Sequence, residues 1–306
     1  MRAAAVVDGP AKASARATFL RRLASTLVLW ALIALSVVAG SAWGVFAIIF
    51  GVALLALREY FALARAEGVR VFTLTGMICA ALYLVASFFD LRSESVHTGP
   101  GLEMGILVGF LFVIFVRQMW RRAAEREPLE AIAFTVFGLL YIPWLFNFLT
   151  KILFLSPPAA DGSPTGQYYI LYLLVVTKFS DMGAYVVGSL FGRHPFAPHI
   201  SPKKTWEGLA GALTVSLMGS WWVYGLMPER LGALRFADVT VLGLLLGAAA
   251  VVGDLAESII KRSAHAKDSS RVLPGIGGTL DLIDSILFTA PIFYFYLRAV
   301  AGGPLQ

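Results

Sequence analysis

Charge is scarce in this 306-residue sequence, and cysteine scarcer. Asp, Glu, Lys and Arg make up 14% of it and hydrophobic residues 58%, whereas soluble domains carry roughly a quarter charged residues. That deficit excludes an ordinary water-soluble domain. The single cysteine, Cys79, lies in an apolar block. It excludes an intrachain disulfide and a thiolate metal site, and reads as a small buried or lipid-facing side chain. His97, His194, His199 and His265 lack the i, i+4 spacing of a zinc pair on a helix and read as surface or headgroup contacts. There is no repeat at a fixed period and no long low-complexity tract.

What is abundant is apolar sequence in long blocks, with a mean hydropathy of +0.76. About 20 apolar residues suffice to cross a bilayer as a helix. The blocks predict an all-α, polytopic integral membrane protein of about nine transmembrane helices. They are Leu23–Gly40, Trp43–Leu57, Val71–Phe89, Leu102–Val116, Leu129–Phe154, Tyr168–Phe191, Gly208–Met227, Val239–Ile260 and Leu280–Val300. The first two could form one hairpin broken near Gly40 and Ser41. Gly40-x-x-x-Gly44 and Gly243-x-x-x-Gly247 have the spacing that lets helices approach closely.

The net charge is +6, but the basic residues cluster in short loops between the blocks, so membrane orientation explains them better than nucleic acid does. With the N-terminus in the cytoplasm, 19 of the 25 Lys and Arg residues fall on the inner side and five on the outer. Lys178 lies within a span. The expected organisation is a cytoplasmic tail (1–22), N-terminal membrane helices (23–154) and a C-terminal catalytic membrane domain (168–300). Scaffold, lipid entrance and homodimer contact are all open uses for the N-terminal helices.

Ionisable side chains inside a bilayer are costly and mark function. The predicted spans in the first half largely avoid them. Three spans in the second half do not: one carries Lys178 and Asp181, one Asp254 and Glu257, one Asp281 and Asp284. Each pair is spaced i, i+3 and so shares a helix face. The economical arrangement turns the three faces toward one polar cavity. Salt bridging explains Lys178 with one acid, but five acids exceed one lysine, and facing oxygen ligands invite a hard divalent cation, Mg²⁺ first, since it binds through one or two carboxylates plus substrate phosphates.

Two inner loops flank these acids. The first holds Ser201, Lys203, Lys204 and Thr205, hydroxyls and point charges suited to phosphate, just before a helix start. The second begins with Lys261 and Arg262, passes Lys267, Asp268 and Arg271, and ends in the turn Pro274-Gly275-Ile276-Gly277-Gly278 before Asp281. Positive-inside charge and anionic headgroups account for any one of these cations. Phosphate-binding loops beside a carboxylate cluster are, together, the layout of metal-assisted phosphoryl or nucleotidyl transfer.

Ser258-Ile259-Ile260-Lys261-Arg262, Lys267-Asp268, the Pro-Gly-x-Gly-Gly turn and Asp281-Leu282-Ile283-Asp284 resemble the signature of the phosphatidate cytidylyltransferases, or CDP-diacylglycerol synthases. The upstream pattern of Asp181, Tyr185, Gly188, Phe191-Gly192 and Ile200 to Gly208 is similar to theirs too. The resemblance covers about Lys178 to Ser285. Ile276 and Leu282 stand where the family usually has His and Arg, and Thr279 where it has an apolar residue.

The resemblance implies CTP and phosphatidate as substrates, CDP-diacylglycerol and diphosphate as products, Mg²⁺ with a monovalent cation such as K⁺ beside it, and a site facing the cytoplasm from the cell (inner) membrane. On this basis Asp254, Asp281 and Asp284 are the expected metal ligands, with Asp181 and Glu257 their catalytic partners. Ser201, Lys203, Lys204 and Thr205 are expected to hold the phosphates of one substrate, and Lys261, Arg262, Lys267 and Asp268 those of the other. Two other readings are a cytidylyltransferase acting on another lipid phosphate, and an ion- or proton-coupled transporter. The second would show paired halves with broken helices, and no such pairing is seen. The Asp-Gly-x-x-Ala-Arg element of CDP-alcohol phosphotransferases is absent.

Overall fold

With no water in the hydrocarbon to satisfy backbone groups, a spanning chain must bond them internally, and helices do so. The computed structural model describes residues 31–37, 39–93, 100–120, 128–159, 162–264 and 278–300. Among these residues all regular structure is helical apart from one isolated bridge between Pro195 and Thr205. Eight helices are long and apolar enough to cross a membrane. Of the first predicted span, 31–37 are helical and most of the rest lies outside the described residues.

We number the helices α1 (Ala42–Ala66), α2 (Thr73–Arg92), α3 (Pro100–Met119), α4 (Pro128–Leu139), α5 (Phe148–Leu155), α6 (Gly166–Phe191), α7 (Trp206–Leu226), α8 (Phe236–Ser263) and α9 (Thr279–Val300). A π-helical turn over Leu140–Trp144, containing Pro143, joins α4 to α5 within one span. Proline has no N–H to give an α-helical ladder, and the wider turn absorbs the lost bond.

Gly40 (φ +59°) takes the left-handed conformation that glycine adopts at little cost, and Ser41 then caps α1 by accepting from the Gly44 N–H at 3.1 Å. The predicted hairpin break therefore stands at Gly40. The Gly40-x-x-x-Gly44 pair forms no helix-approach face, because Gly40 is the turn itself. The Gly243 and Gly247 pair does: α8 lies against α7, where the hydroxyl of Ser216 donates to the Gly243 carbonyl at 2.6 Å. Helix α1 also runs past its predicted end at Leu57 to Ala66.

Small residues set the spacing of the second half. A Cβ on Gly183 of α6 would lie 2.4 Å from the Gly211 carbonyl oxygen of α7. A Cβ on Gly253 of α8 would lie 2.6 Å from the Asp284 carbonyl oxygen of α9. Such contacts let backbones approach without an intervening side chain. The first half is packed differently, by aromatic rings such as Phe46 stacked on Phe88 at 4.1 Å between centroids.

Candidate active site

The close approach of α8 to α9, and of α6 to α7, turns three charged helix faces inward. Asp181, Asp254, Glu257, Asp281 and Asp284 all line one cavity of about 430 Å³. Oxygens of Asp254, Glu257 and Asp284 lie within 4.8 Å of one another, and Glu257 and Asp284 are buried. Ser285 ties the group together, its hydroxyl lying 3.0 Å from Asp181 Oδ1 and 3.3 Å from Asp284 Oδ1.

Three lysines answer the acids. Lys178 bonds Asp181 Oδ2 at 2.9 Å and the Leu282 carbonyl at 3.0 Å. Lys261 bridges Glu257 at 2.7 Å and Asp281 at 3.0 Å. Lys204 Nζ lies 2.9 Å from Asp254 Oδ2, close enough to pair but not aligned for a hydrogen bond. Salt bridging thus goes further than one lysine could take it, yet five carboxylates still face three ammonium groups.

The surplus sits where a cation fits. Asp254, Glu257 and Asp284 offer carboxylate oxygen alone, and Glu257 Oε1 is buried with no hydrogen-bond partner. An all-oxygen, anionic donor set suits Mg²⁺. Asp281, an expected ligand, is not in this trio; Lys261 and the Gly278 N–H, the latter at 3.3 Å, engage its two oxygens. Glu257, expected beside the metal, takes its place in the cluster.

The first loop reaches over the acids as a tied hairpin. The Phe196 N–H donates to the Lys204 carbonyl at 3.0 Å and the Trp206 N–H to the His194 carbonyl at 2.9 Å. Glu207 clamps the base, accepting from the Arg193 and His194 N–H groups at 3.1 and 3.3 Å and pairing with the His194 ring. Lys203, Lys204 and Thr205 consequently line the cavity. Thr205 also caps α7, accepting from Gly208 N–H at 3.1 Å.

Two expected binding residues point elsewhere. Ser201 is not among the cavity's lining residues; its carbonyl accepts from the Lys204 N–H and shapes the hairpin. Arg262 donates from Nε to the Ile200 carbonyl, bracing the end of α8 against the same loop. Lys267 and Asp268, with most of the glycine turn, lie outside the described residues. The sequence reading passed over Ser285, Glu207 and Glu59. Ser285 directly follows Asp284, and Glu207 sits in the first turn of a helix beside a basic loop. Glu59 stands in a buried stripe with Ala56, Tyr60 and Leu63, and an acid at such a position is itself a signal.

A model of the cytidylyltransferase family matches residues 20–300. The chain belongs to this family. The match takes in the N-terminal helices, well beyond the Lys178–Ser285 stretch that carries the motif. This cytidylyltransferase is 30% identical to a phosphatidate cytidylyltransferase of Synechocystis over 275 residues, 79% of this chain and 84% of that one. It is 34% identical to a phosphatidate cytidylyltransferase of Mycobacterium leprae over 65% of this chain and 66% of the other. It is also 37% identical to the uncharacterized protein YnbB of Escherichia coli, over 54% of this chain and 50% of that one.

Proposed function

We propose that this cytidylyltransferase joins CTP to phosphatidate, giving CDP-diacylglycerol and diphosphate, at a site facing the cytoplasm from the cell (inner) membrane. The observation that carries the reading is one cavity, between membrane-spanning helices, in which a carboxylate trio faces a lysine-bearing hairpin. The excess of basic loop residues on one predicted side supports the orientation.

In the reaction an oxygen of the lipid phosphate attacks the α-phosphorus of CTP. The bond between the α-phosphorus and the bridging oxygen breaks, and that oxygen leaves with diphosphate. The lipid phosphate is already anionic at neutral pH, so no strong base is required; the protein's task is positioning and charge stabilisation. Asp254, Glu257 and Asp284 would hold Mg²⁺, which when bound neutralises phosphate charge. Lys203 and Lys204 from the hairpin, and Lys261 from α8, hold phosphate oxygens. Lys204 can exchange its imperfect contact with Asp254 for a substrate oxygen.

An apolar cleft of about 210 Å³ adjoins the cavity and shares Asp281 with it. It is lined by Val37, Ile49, Ile170, Leu174 and Ile286, with Lys178 and Asp281 its charged members. Such a cleft suits an acyl chain whose phosphate sits among the acids.

The test is incorporation of labelled CTP into organic-soluble product by the purified chain, with and without Mg²⁺, across a panel of lipid phosphates. Mg²⁺-dependent labelling with phosphatidate is expected. No labelling, or labelling with an isoprenoid phosphate alone, overturns the proposal.

A further inference from the structure

Among the described residues, one buried acid lies outside the cavity. Glu59 of α1 is 3% exposed and belongs to the first half of the chain, yet its Oε2 accepts the Leu280 N–H at 2.9 Å, across 221 residues of sequence. Leu280 is the second residue of α9, and the first N–H groups of a helix have no partner within it. A carboxylate there is doubly favoured, by a charge-assisted bond and by the positive end of the helix dipole. Burying a carboxylate is otherwise costly, so the bond fixes where α1 and α9 meet.

The turn held this way is the one that carries the chemistry. Asp281 immediately follows Leu280, and Asp284 lies one helical turn on. Lys261 and the Gly278 N–H hold the Asp281 carboxylate. If the first turn of α9 frays, Asp281 loses its place between them and Asp284 loses its aim at Asp254 and Glu257. We infer that Glu59 is a positioning residue, by which the N-terminal helices lock the first turn of α9 in the geometry that its two aspartates need.

The inference rests on the proposed reaction only for its kinetic readout; hydrogen exchange tests it separately. In the purified full chain, amide exchange over residues 278–284 should quicken by about tenfold or more in Glu59→Ala, as expected for losing a bond to a charged acceptor. Glu59→Gln, whose amide oxygen can still accept from Leu280, should stay within about threefold of the parent. Kinetically, Glu59→Ala should lower kcat about tenfold with the KM of CTP and of phosphatidate nearly unchanged, and Gln should restore it. Parental exchange in Glu59→Ala, or exchange in Glu59→Gln as fast as in Glu59→Ala, overturns the inference. Should Glu59→Ala not be recovered folded, Glu59→Asp, one methylene too short to reach, reads the same way: fast exchange supports the inference and parental exchange refutes it. An inactive parent chain would sink the reaction proposal and leave the exchange result standing.

Discussion

The two halves of the molecule meet the same cost in opposite ways. In the first half, polar groups within the spans close on one another. Lys151 pairs with Glu103 at 2.8 Å, and Asn147 donates to Ser87 at 2.7 Å and to Tyr83 at 3.1 Å. There Glu103 and Lys151 meet one to one. In the second half, five acids meet three lysines around an open cavity, and the balance is left for something that binds. A membrane protein can thus spend intramembrane polarity on cohesion or on recognition, and the charge balance distinguishes the two.

The comparison breaks most decisively at Asp284. Asp284→Ala should lower turnover on the order of 10³-fold, since it removes a carboxylate from the trio proposed to hold the metal. The melting temperature without Mg²⁺ should hold or rise, because the substitution relieves repulsion among like charges. A variant that is active, or that melts early, would place this acid with the cohesive groups of the first half.

Lys204→Ala comes next. The apparent KM of CTP or of phosphatidate should rise about tenfold or more, the expected loss for a charged phosphate contact. Unchanged KM values for both substrates would remove Lys204 from the binding site.

Ile170→Trp narrows the apolar cleft and sharpens the comparison at its border. The KM of a long-chain phosphatidate should rise about fivefold or more relative to a dihexanoyl analogue, as expected for about 1 kcal/mol or more of lost apolar contact. Equal effects on both lipids would take the acyl chain out of that cleft.

Asn147→Leu should have the smallest effect on catalysis and a measurable one on stability. Loss of its two donated bonds should cost about 1 kcal/mol, seen as a lower melting temperature, with kcat/KM within about twofold of the parent. A large fall in kcat/KM would show that the first-half network reaches the chemistry.

The sequence carried the site further than it carried the contacts. Lys178 with Asp181, Asp254 with Glu257, and Asp281 with Asp284 were legible because charge in an apolar helix is conspicuous and i, i+3 spacing fixes a common face. Their convergence followed from the cost of facing lipid. Lys204 against Asp254 and Lys261 against Asp281 were not legible as pairs, since they depend on how helices and hairpin pack. That Glu257 joins Asp254 and Asp284 in the oxygen cluster, without Asp281, depended on how α8 and α9 pack, which no spacing rule reports. Glu59 escaped for a local reason. It lies two residues past the predicted end of its span at Leu57, whereas α1 continues to Ala66 and buries Glu59 against α9.

Gly253 carries no functional group, yet the backbone of Asp284 lies where any side chain at that position would go. A mutational scan of this chain should therefore find it about as intolerant of replacement as the acids beside it. Ranking sites by reactivity alone would pass it over, although the nearness of Asp254 to Asp284 depends on a hydrogen atom in place of a methyl group.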